Sequence, residues 1–480
     1  MSATEGEAQP ARMIPRPSLG LKFSYGAGSI ANGAFGAIGG LAMFYYNQVV
    51  GVPATLVGLA ISLVVFIDGF WDPLIGHGSD QLRTRFGRRH PVFMTGLFIL
   101  PLAIYLRWHP PSGWQPDAMF WYILGTGLFV NLAWSLYEIP TGALAAELAP
   151  DYHDRTLLLG YRWALGTLGA GIATLLVYGV FLRATPDHPV GQLNSAGYGP
   201  LSLSIIALIL LSGLTLTLGT WSAIPRLYKP VEEKTRSLKD QFAMAFSTLK
   251  NRNFLVAMSA GLISGLSAGI NGGLGLYFQT FLWELKSSDI LVLTLLGVPI
   301  PILAGVIAPL LSRRWGKKGT MMSLFVASVI TGQTPMLLKL LGILDLRGSP
   351  WLLVVLGSFS LVSGICSISG YIIVSSMITD IVEDVQVKTG TRAEGLIATA
   401  DSIPSKIVTA ASALIPALLL GFVAFPNQAK PGPEALELIT RVAWIYLPLI
   451  SLIYLASIGV WSFYRLEKSD HDRNLEHLGL

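Results

Sequence analysis

Two aspartates, Asp68 and Asp72, lie in a stretch that is otherwise apolar enough to cross a membrane, from Ala54 to Pro73. A spacing of four residues places both carboxylates on one face of a helix, about one turn apart. A charged side chain at the centre of a bilayer costs about 2.5–3.5 kcal/mol on insertion scales. Two carboxylates on one face therefore predict a positive partner: a small cation, a proton, or a basic side chain of another helix.

Other apolar stretches carry charged residues at membrane depth: Glu138, Arg162, Asp401 and Lys406. Hard cations prefer oxygen ligands, so we interpret Asp68 and Asp72 as ligands of a cation, with Na⁺ as the candidate metal ion and Ser135 as a supporting hydroxyl. A buried carboxylate without a partner holds a proton more readily than an exposed one, which leaves a proton site as the first alternative. A structural ion pair with Lys406 is the second.

Glu138 and Arg162 have the chemistry of a substrate pocket. A carboxylate accepts hydrogen bonds from sugar hydroxyls, and a guanidinium donates to hydroxyls or to an anionic group. Trp134 shares a predicted helix with Glu138 and provides a ring for stacking on a sugar. The alternative is that Glu138 and Arg162 pair with each other. We expect Lys406 to bind the carboxylates of the cation site when no cation is bound, and so to lie near both sites.

A basic loop follows the helix that carries the two aspartates. Asp80, Arg85 and Arg88 are interpreted as gate residues, whose ion pairs form in one conformation of the protein. His77 is interpreted as a residue of the helix end rather than as a proton carrier.

The composition is that of a polytopic membrane protein. The chain has 480 residues, of which 52% are hydrophobic and 13% are charged, and its mean hydropathy is +0.58. Soluble domains carry about 25% charged residues. The single cysteine, Cys366, excludes an intrachain disulfide. The basic residues lie in loops between apolar stretches, so the net charge of +5 does not indicate nucleic-acid binding.

Twelve apolar stretches are long enough to span a bilayer, which predicts an all-α membrane protein with twelve transmembrane helices. Of the 33 lysines and arginines, 24 fall in the two tails and in the loops after even-numbered helices. Both termini are therefore predicted to be cytoplasmic. The predicted organisation is a disordered tail, a six-helix half, a central loop, a second six-helix half and a C-terminal tail, at 1–20, 21–225, 226–253, 254–465 and 466–480.

One loop pattern occurs twice. Arg85-Phe86-Gly87-Arg88-Arg89 follows the second predicted helix, and Arg314-Trp315-Gly316-Lys317-Lys318 follows the eighth, 229 residues later. Equivalent loops in two halves of the chain indicate an internal repeat. The sequence therefore predicts the major facilitator fold, in which two six-helix halves rock around a central cavity.

The sequence resembles the glycoside–pentoside–hexuronide:cation symporter family (melibiose permease-like) in motifs that recur in order along the chain. They are Tyr25-Gly26-x-Gly28, Asp68-x-x-x-Asp72-Pro73, Arg85-Phe86-Gly87-Arg88, Glu138-Ile139-Pro140, Arg162, Asp380-x-x-x-Asp384, Lys388-Thr389-Gly390-x-Arg392-x-Glu394 and Lys406. The resemblance implies that Asp68, Asp72 and Ser135 bind sodium or a proton, that Glu138 and Arg162 contact the substrate, and that Lys406 lies near both sites. It also adds Arg392 to the gate residues.

Three positions depart from the family pattern. Gly33 stands where the family has a sugar-binding aspartate, Gly142 stands where it has an aromatic residue, and Glu138 replaces an aspartate. These changes predict a wider and less polar pocket.

The predicted function is symport of a glycoside, pentose or hexuronide with sodium or protons. A cation-coupled transporter of a lysolipid is the alternative, because Gly33 and Gly142 would leave room for an acyl chain. We find no membrane-embedded nucleophile with its base, no metal-ligand cluster and no nucleotide loop, so enzyme activity is not expected. The expected partners are the solute, the coupling cation and the lipid bilayer, with no cofactor, for a monomer in a bacterial inner membrane.

Overall fold

The computed structural model describes residues 16–149, 151–227, 251–346, 348–389 and 394–466, with side chains described outside 152, 226, 388–389 and 394–403. In these ranges twelve helical segments are long and apolar enough to cross a membrane. In chain order they are α1 (Leu19–Val50), α2 (Ala54–Gln81), α3 (His90–Trp108), α4 (Pro116–Leu148), α5 (His153–Phe181), α6 (Ser195–Trp221), α7 (Arg252–Leu282), α8 (Ser287–Trp315), α9 (Lys317–Leu340), α10 (Trp351–Val387), α11 (Pro404–Phe422) and α12 (Pro433–Trp461).

The prediction of an all-α membrane protein with twelve spanning helices is confirmed. The helix of α10 continues to Thr389, and the helix that contains α11 begins at Glu394. Most of the predicted N-terminal tail, central loop and C-terminal tail lies outside the described residues. The exact boundaries of the two halves therefore stay predictions.

The two halves share local helix geometry as well as a loop sequence. α1 ends in a π-helical segment, Tyr45–Val50, and α7 ends in another, Phe278–Leu282. Gly51 then terminates α1 with a φ of 96°, a left-handed conformation that favours glycine. A third π-helical segment, Leu175–Phe181, ends α5. The pair at the ends of α1 and α7 lies at equivalent positions of the two halves, as the internal repeat predicts.

Helices α2 and α11 pack closely and join the two halves. A Cβ atom added to Gly58 of α2 would lie 2.1 Å from Cβ of Ala417 in α11, and one added to Gly69 would lie 3.1 Å from Cβ of Lys406. Glycine and alanine let the backbones of membrane helices approach each other. Gly58 and Gly69 are about three helical turns apart and so lie on one face, which sets Lys406 of α11 beside the acidic part of α2.

Neutral hydrogen bonds join the halves at one end of the bundle. Asn47, near the end of α1, donates from Nδ2 to Oδ1 of Asn427 at 2.9 Å and accepts from the hydroxyl of Tyr277 at 2.9 Å. Gln48 accepts from the backbone N–H of Ala429 at 2.9 Å. Asn47 and Gln48 are both buried. We call this end the closed face, and the opposite end, which carries the loop 82–89, the basic face.

A second neutral contact at the closed face involves Gln192, which lies in the connection between α5 and α6. Its Nε2 donates to Oγ1 of Thr280 at 3.1 Å, and its Oε1 accepts from the hydroxyl of Ser287 at 2.9 Å. Gln192 is fully buried. The closed face is therefore held on two sides by amide side chains of the N-terminal half that bond to the C-terminal half.

The close packing of α2 on α11 makes a prediction about stability. A valine at Gly58 must displace Ala417, and overpacking of this kind costs about 1–3 kcal/mol. We expect Gly58→Val to lower the unfolding temperature of the purified protein in detergent. Gly125→Val is the matched control, since a Cβ atom there meets nothing within 4 Å. Equal unfolding temperatures for the two variants would contradict the packing.

Candidate cation and substrate site

The ammonium of Lys406 lies between the carboxylates of Asp68 and Asp72. Its Nζ binds Oδ2 of Asp68 and lies 2.8 Å from Oδ2 of Asp72. The hydroxyl of Ser135 donates to Oδ1 of Asp72 at 2.6 Å, and Nε1 of Trp71 donates to Oδ1 of Asp68 at 3.2 Å. The sequence predicts a cation, a proton or a basic side chain as the partner of the two aspartates, and in the structure the partner is the basic side chain of Lys406. We call Asp68, Asp72 and Ser135 the acidic clamp, which the ammonium of Lys406 occupies in this structure.

The two carboxylates of the clamp differ in exposure. The Asp68 side chain is 8% exposed, whereas the side chains of Asp72 and Lys406 are 27% and 31% exposed. Asp68 is therefore the inner carboxylate and Asp72 the outer one. Carboxylate oxygens and the Ser135 hydroxyl are the donor set that a hard monovalent cation uses, and a cation that took them would compete with the ammonium for the same oxygens.

Glu138 and Arg162 bind each other across α4 and α5. Nη2 of Arg162 donates to Oε1 of Glu138, and Nδ2 of Asn32 donates to Oε2 of the same carboxylate at 2.7 Å. Nη1 of Arg162 donates to the hydroxyl of Tyr25 at 3.2 Å. The pairing that the sequence leaves as an alternative is thus present. Both charged side chains are partly exposed, so hydroxyls of a solute have access to the pair.

The sequence analysis missed Asn32, which binds Glu138 from α1. Its position could have been noticed in the sequence, because Asn32 is an amide in an apolar helix, where a polar group without a hydrogen-bond partner is costly. We call Asn32, Glu138, Arg162 and Tyr25 the polar floor.

The prediction of a wider pocket is wrong at Gly33. A Cβ atom there would lie 2.1 Å from the carbonyl oxygen of Gly166 and 2.3 Å from the nitrogen of Ala170. Gly33 therefore lets α1 pack against the backbone of α5, and a side chain has no room at this position.

At Gly142 the space is filled by Arg162. A Cβ atom on Gly142 would meet Nη1 of Arg162 at 3.6 Å and Nη2 at 3.7 Å, which is ordinary van der Waals contact. The missing aromatic ring is replaced by a guanidinium, so this part of the pocket is more polar than the sequence analysis predicts.

Trp134 has one ring face covered by the protein. Its ring stacks on Phe35 with a centroid distance of 4.1 Å and an interplanar angle of 6°. The proposed stacking on a sugar is therefore restricted to the other face of the indole. That role stays a prediction.

Comparison with known proteins identifies the family of the chain. The family described as MFS/sugar transport protein matches residues 24–468. The chain belongs to this family. Its relatives include an isoprimeverose transporter and a glucuronide carrier protein homolog, which agrees with the family resemblance of the sequence motifs. Its relatives are transporters, so the chain is a membrane transporter and not an enzyme.

The relatives carry names of sugar carriers. The isoprimeverose transporter of Lactiplantibacillus pentosus is 24% identical over 96% of this chain and 92% of its own length. The glucuronide carrier protein homolog of Escherichia coli K12 is 25% identical over 92% of this chain and 91% of its own. An uncharacterized symporter of Synechocystis is 31% identical, but the match covers only 35% of this chain and 31% of that protein.

Solved structures show the same fold. The nucleoside transporter NupG superposes with a TM-score of 0.63 at 16% identity, covering 93% of this chain and 99% of NupG. The predicted major facilitator fold is confirmed.

Two of the predicted gate residues of this MFS/sugar transporter, Asp80 and Arg88, lie in an ionic cluster at the basic face. Glu147 of α4 accepts from Nε of Arg88 at 2.8 Å and from Nε of Arg89 at 2.9 Å. Asp80 binds Arg89 and lies 3.9 Å from Arg88. Arg85 is placed differently, with its guanidinium carbon 4.7 Å above the ring of its neighbour Phe86.

The sequence analysis missed Arg89 and Glu147, the centre of this cluster, although Arg89 stands in the repeated loop pattern. Arg392 lies outside the described residues. His77 contacts Gln81 one turn later, at 2.8 Å, at the end of α2. The gating role of Asp80, Arg85, Arg88 and Arg392 stays a prediction.

The second half of the transporter repeats this ionic contact. Lys317, which matches Arg88 in the repeated loop, lies 2.7 and 2.8 Å from the two carboxylate oxygens of Asp380 in α10. In each half, therefore, a base of the basic-face loop binds a carboxylate at the end of that half's fourth helix.

The polar floor predicts an energetic coupling. Glu138→Gln and Arg162→Gln each leave a partly buried charge without its partner, whereas the double variant removes both charges. Residues in direct contact show coupling energies of about 0.5–3 kcal/mol. We expect the double variant to be less destabilised than the sum of the single variants, measured by thermal unfolding in detergent. Strictly additive losses would show that the pair contributes no mutual stabilisation.

Proposed function

We propose that the protein is a secondary symporter that couples inward movement of sodium or protons to uptake of a sugar-type solute by alternating access. The proposed location is a bacterial inner membrane, with the basic face and both termini in the cytoplasm. The single observation that supports this most is the position of Lys406 between Asp68 and Asp72, because it ties the cation ligands of one half to a helix of the other half.

The acidic clamp offers a physical route from ion binding to movement of the halves. While the ammonium of Lys406 occupies the clamp, it bridges α2 and α11. A cation that enters the clamp takes the place of the ammonium as the positive partner of the two carboxylates and releases Lys406. Binding of the cation thereby changes the contact between the halves, and a ligand shifts a conformational equilibrium only through such differential contacts.

The described charges of the two sites leave an excess of negative charge for a cation. The clamp, Lys406 and the polar floor together contain three carboxylates, Asp68, Asp72 and Glu138, and two bases, Arg162 and Lys406. Their formal sum is one negative charge, which one Na⁺ or one H⁺ neutralises. The side chain of Asp401, which the sequence analysis also places at membrane depth, lies outside the described side chains and is not part of this sum.

The polar floor is the proposed contact surface for the solute. Asn32, Glu138 and Arg162 present an amide, a carboxylate and a guanidinium within one connected group, which can accept from and donate to sugar hydroxyls. The names of the relatives, an isoprimeverose transporter and a glucuronide carrier homolog, agree with a sugar-type solute. The lysolipid alternative loses its basis, because Gly33 and Gly142 do not open room for an acyl chain.

Neutralising the aspartates of the clamp tests the proposed function. We expect Asp68→Asn and Asp72→Asn to abolish gradient-driven accumulation in proteoliposomes while leaving part of the substrate binding, because the coupling cation loses a charged ligand. Accumulation is measured under imposed sodium or proton gradients with a panel of labelled sugars and sugar acids, and a labelled lysolipid is tested alongside.

Glu437→Gln is the matched control, since Glu437 is an exposed carboxylate paired with Arg441 at the closed face. Wild-type accumulation by the Asp68→Asn/Asp72→Asn double variant would refute the cation assignment.

Removing the ammonium tests the competition in the clamp. We expect Lys406→Met to bind the coupling cation about tenfold more tightly, which corresponds to about 1.4 kcal/mol, because the cation no longer displaces a positive charge. The concentration of cation that gives half of the maximal rise in unfolding temperature reports the affinity. Lys430→Met, an exposed position in the connection between α11 and α12, is the control. An unchanged or weaker affinity in Lys406→Met would exclude the competition.

A further inference from the structure

A second cavity lies inside the C-terminal half, apart from the acidic clamp and the polar floor. Its volume is about 220 Å³, and its walls come from α7, α9, α10 and α12. Six of the lining side chains can form hydrogen bonds: Asn271, Gln279, Trp283, Ser328, Gln333 and Tyr446. We call this cavity the amide pocket.

The described lining residues of the amide pocket are uncharged, and the ammonium of Lys339 lies 5.1 Å from the ring centroid of one of them, Trp283. Amide and hydroxyl groups both donate and accept hydrogen bonds, as the hydroxyls of a sugar do. The side-chain amides of Asn271 and Gln279 make no hydrogen bond to another described residue, and both residues line the pocket. Two amides on α7 are thus available to a neutral ligand with several hydroxyls.

The amide pocket also has an aromatic wall and an open mouth. Tyr446 is 3% exposed at its floor and packs against Phe278 with a centroid distance of 4.9 Å. Trp283 adds a second ring to the wall. Asn271 is exposed and marks the mouth. Aromatic faces next to hydrogen-bonding groups suit a sugar ring, which has apolar C–H faces and polar edges.

The size of the amide pocket limits its occupant. Pockets for drug-sized ligands have volumes of about 300–1,000 Å³, so a cavity of about 220 Å³ admits a single ring rather than a whole oligosaccharide. Gly275 leaves part of the wall bare, since a Cβ atom there would meet nothing within 4 Å.

The amide pocket is mechanically connected to the clamp. A Cβ atom on Gly269 of α7 would lie 2.0 Å from Oγ of Ser412, and one on Gly273 would lie 2.6 Å from Cγ of Pro416. α7 therefore packs directly on α11, the helix that carries Lys406. A ligand that displaces α7 therefore also affects α11, whose Lys406 occupies the clamp.

We propose that the amide pocket holds one sugar ring of the transported solute. The proposal rests on the proposed function. The amides of Asn271 and Gln279 are placed to pair with ring hydroxyls, and the ring of Tyr446 offers an apolar surface to the C–H face of the sugar.

Filling the bare part of the wall tests this proposal. Gly275→Val places two methyl groups in the cavity, and Gly261→Val is the matched control on the same helix, since a Cβ atom there also meets nothing within 4 Å and Gly261 does not line the pocket. Cation-driven uptake into proteoliposomes is measured for neutral sugars and for uronic acids. We expect Gly275→Val to raise KM for the neutral substrate at least tenfold and Gly261→Val to change it less than twofold.

A second variant covers the case in which Gly275→Val does not fold, as judged by size-exclusion chromatography and thermal unfolding. Gln279→Met removes one free amide with little change in volume, and we expect it to raise KM at least threefold. Wild-type KM in Gly275→Val, or in Gln279→Met if the first variant is unfolded, overturns the pocket assignment. If the wild-type protein accumulates no sugar under any gradient, the proposed function itself fails.

Discussion

The ammonium of Lys406 is the contact on which the rest of the structure depends. It neutralises one of two carboxylates that α2 would otherwise hold at membrane depth, and it comes from the other half of the molecule. The side chain reaches the clamp because glycines on α2 let α11 pack against its backbone. The packing of α2 on α11 therefore contributes to the stability of the bundle and also sets the position of the Lys406 ammonium. A substitution that disturbs this packing affects both.

The internal repeat organises the remaining contacts. π-helical ends occur in α1 and α7, and an ionic contact between a loop base and the end of the fourth helix occurs in both halves. The chemistry, however, is divided unequally. The charged groups of the polar floor lie in the N-terminal half, whereas the amide pocket of the C-terminal half is neutral. Two halves with the same fold therefore present different surfaces to a solute, one charged and one lined by uncharged residues.

The sequence was sufficient for the fold and for the residues of the clamp, because helical spacing and the cost of buried charge are local properties. Asp68, Asp72 and Lys406 were found in this way. Asn32 and Glu147 were not, since their importance comes from helix packing that one sequence does not reveal. Gly33 was misread for the same reason: the absence of a side chain indicates either an open space or a close backbone contact, and only the structure shows which.

The two ends of the molecule are held by different kinds of bond, and salt acts on them differently. The closed face is held by amide hydrogen bonds, such as those of Asn47 and Gln192. Water can form the same bonds when the face opens, so each bond contributes only about 0.5–1.5 kcal/mol to the stability of the closed face. This contribution does not depend on ionic strength, because the groups are neutral. The basic face relies on ion pairs, and the carboxylate of Asp80, which binds Arg89, is 51% exposed. Screening at physiological salt acts on such an exposed charge over about 8 Å. A rise in ionic strength therefore weakens the contacts of the basic face and leaves those of the closed face unchanged.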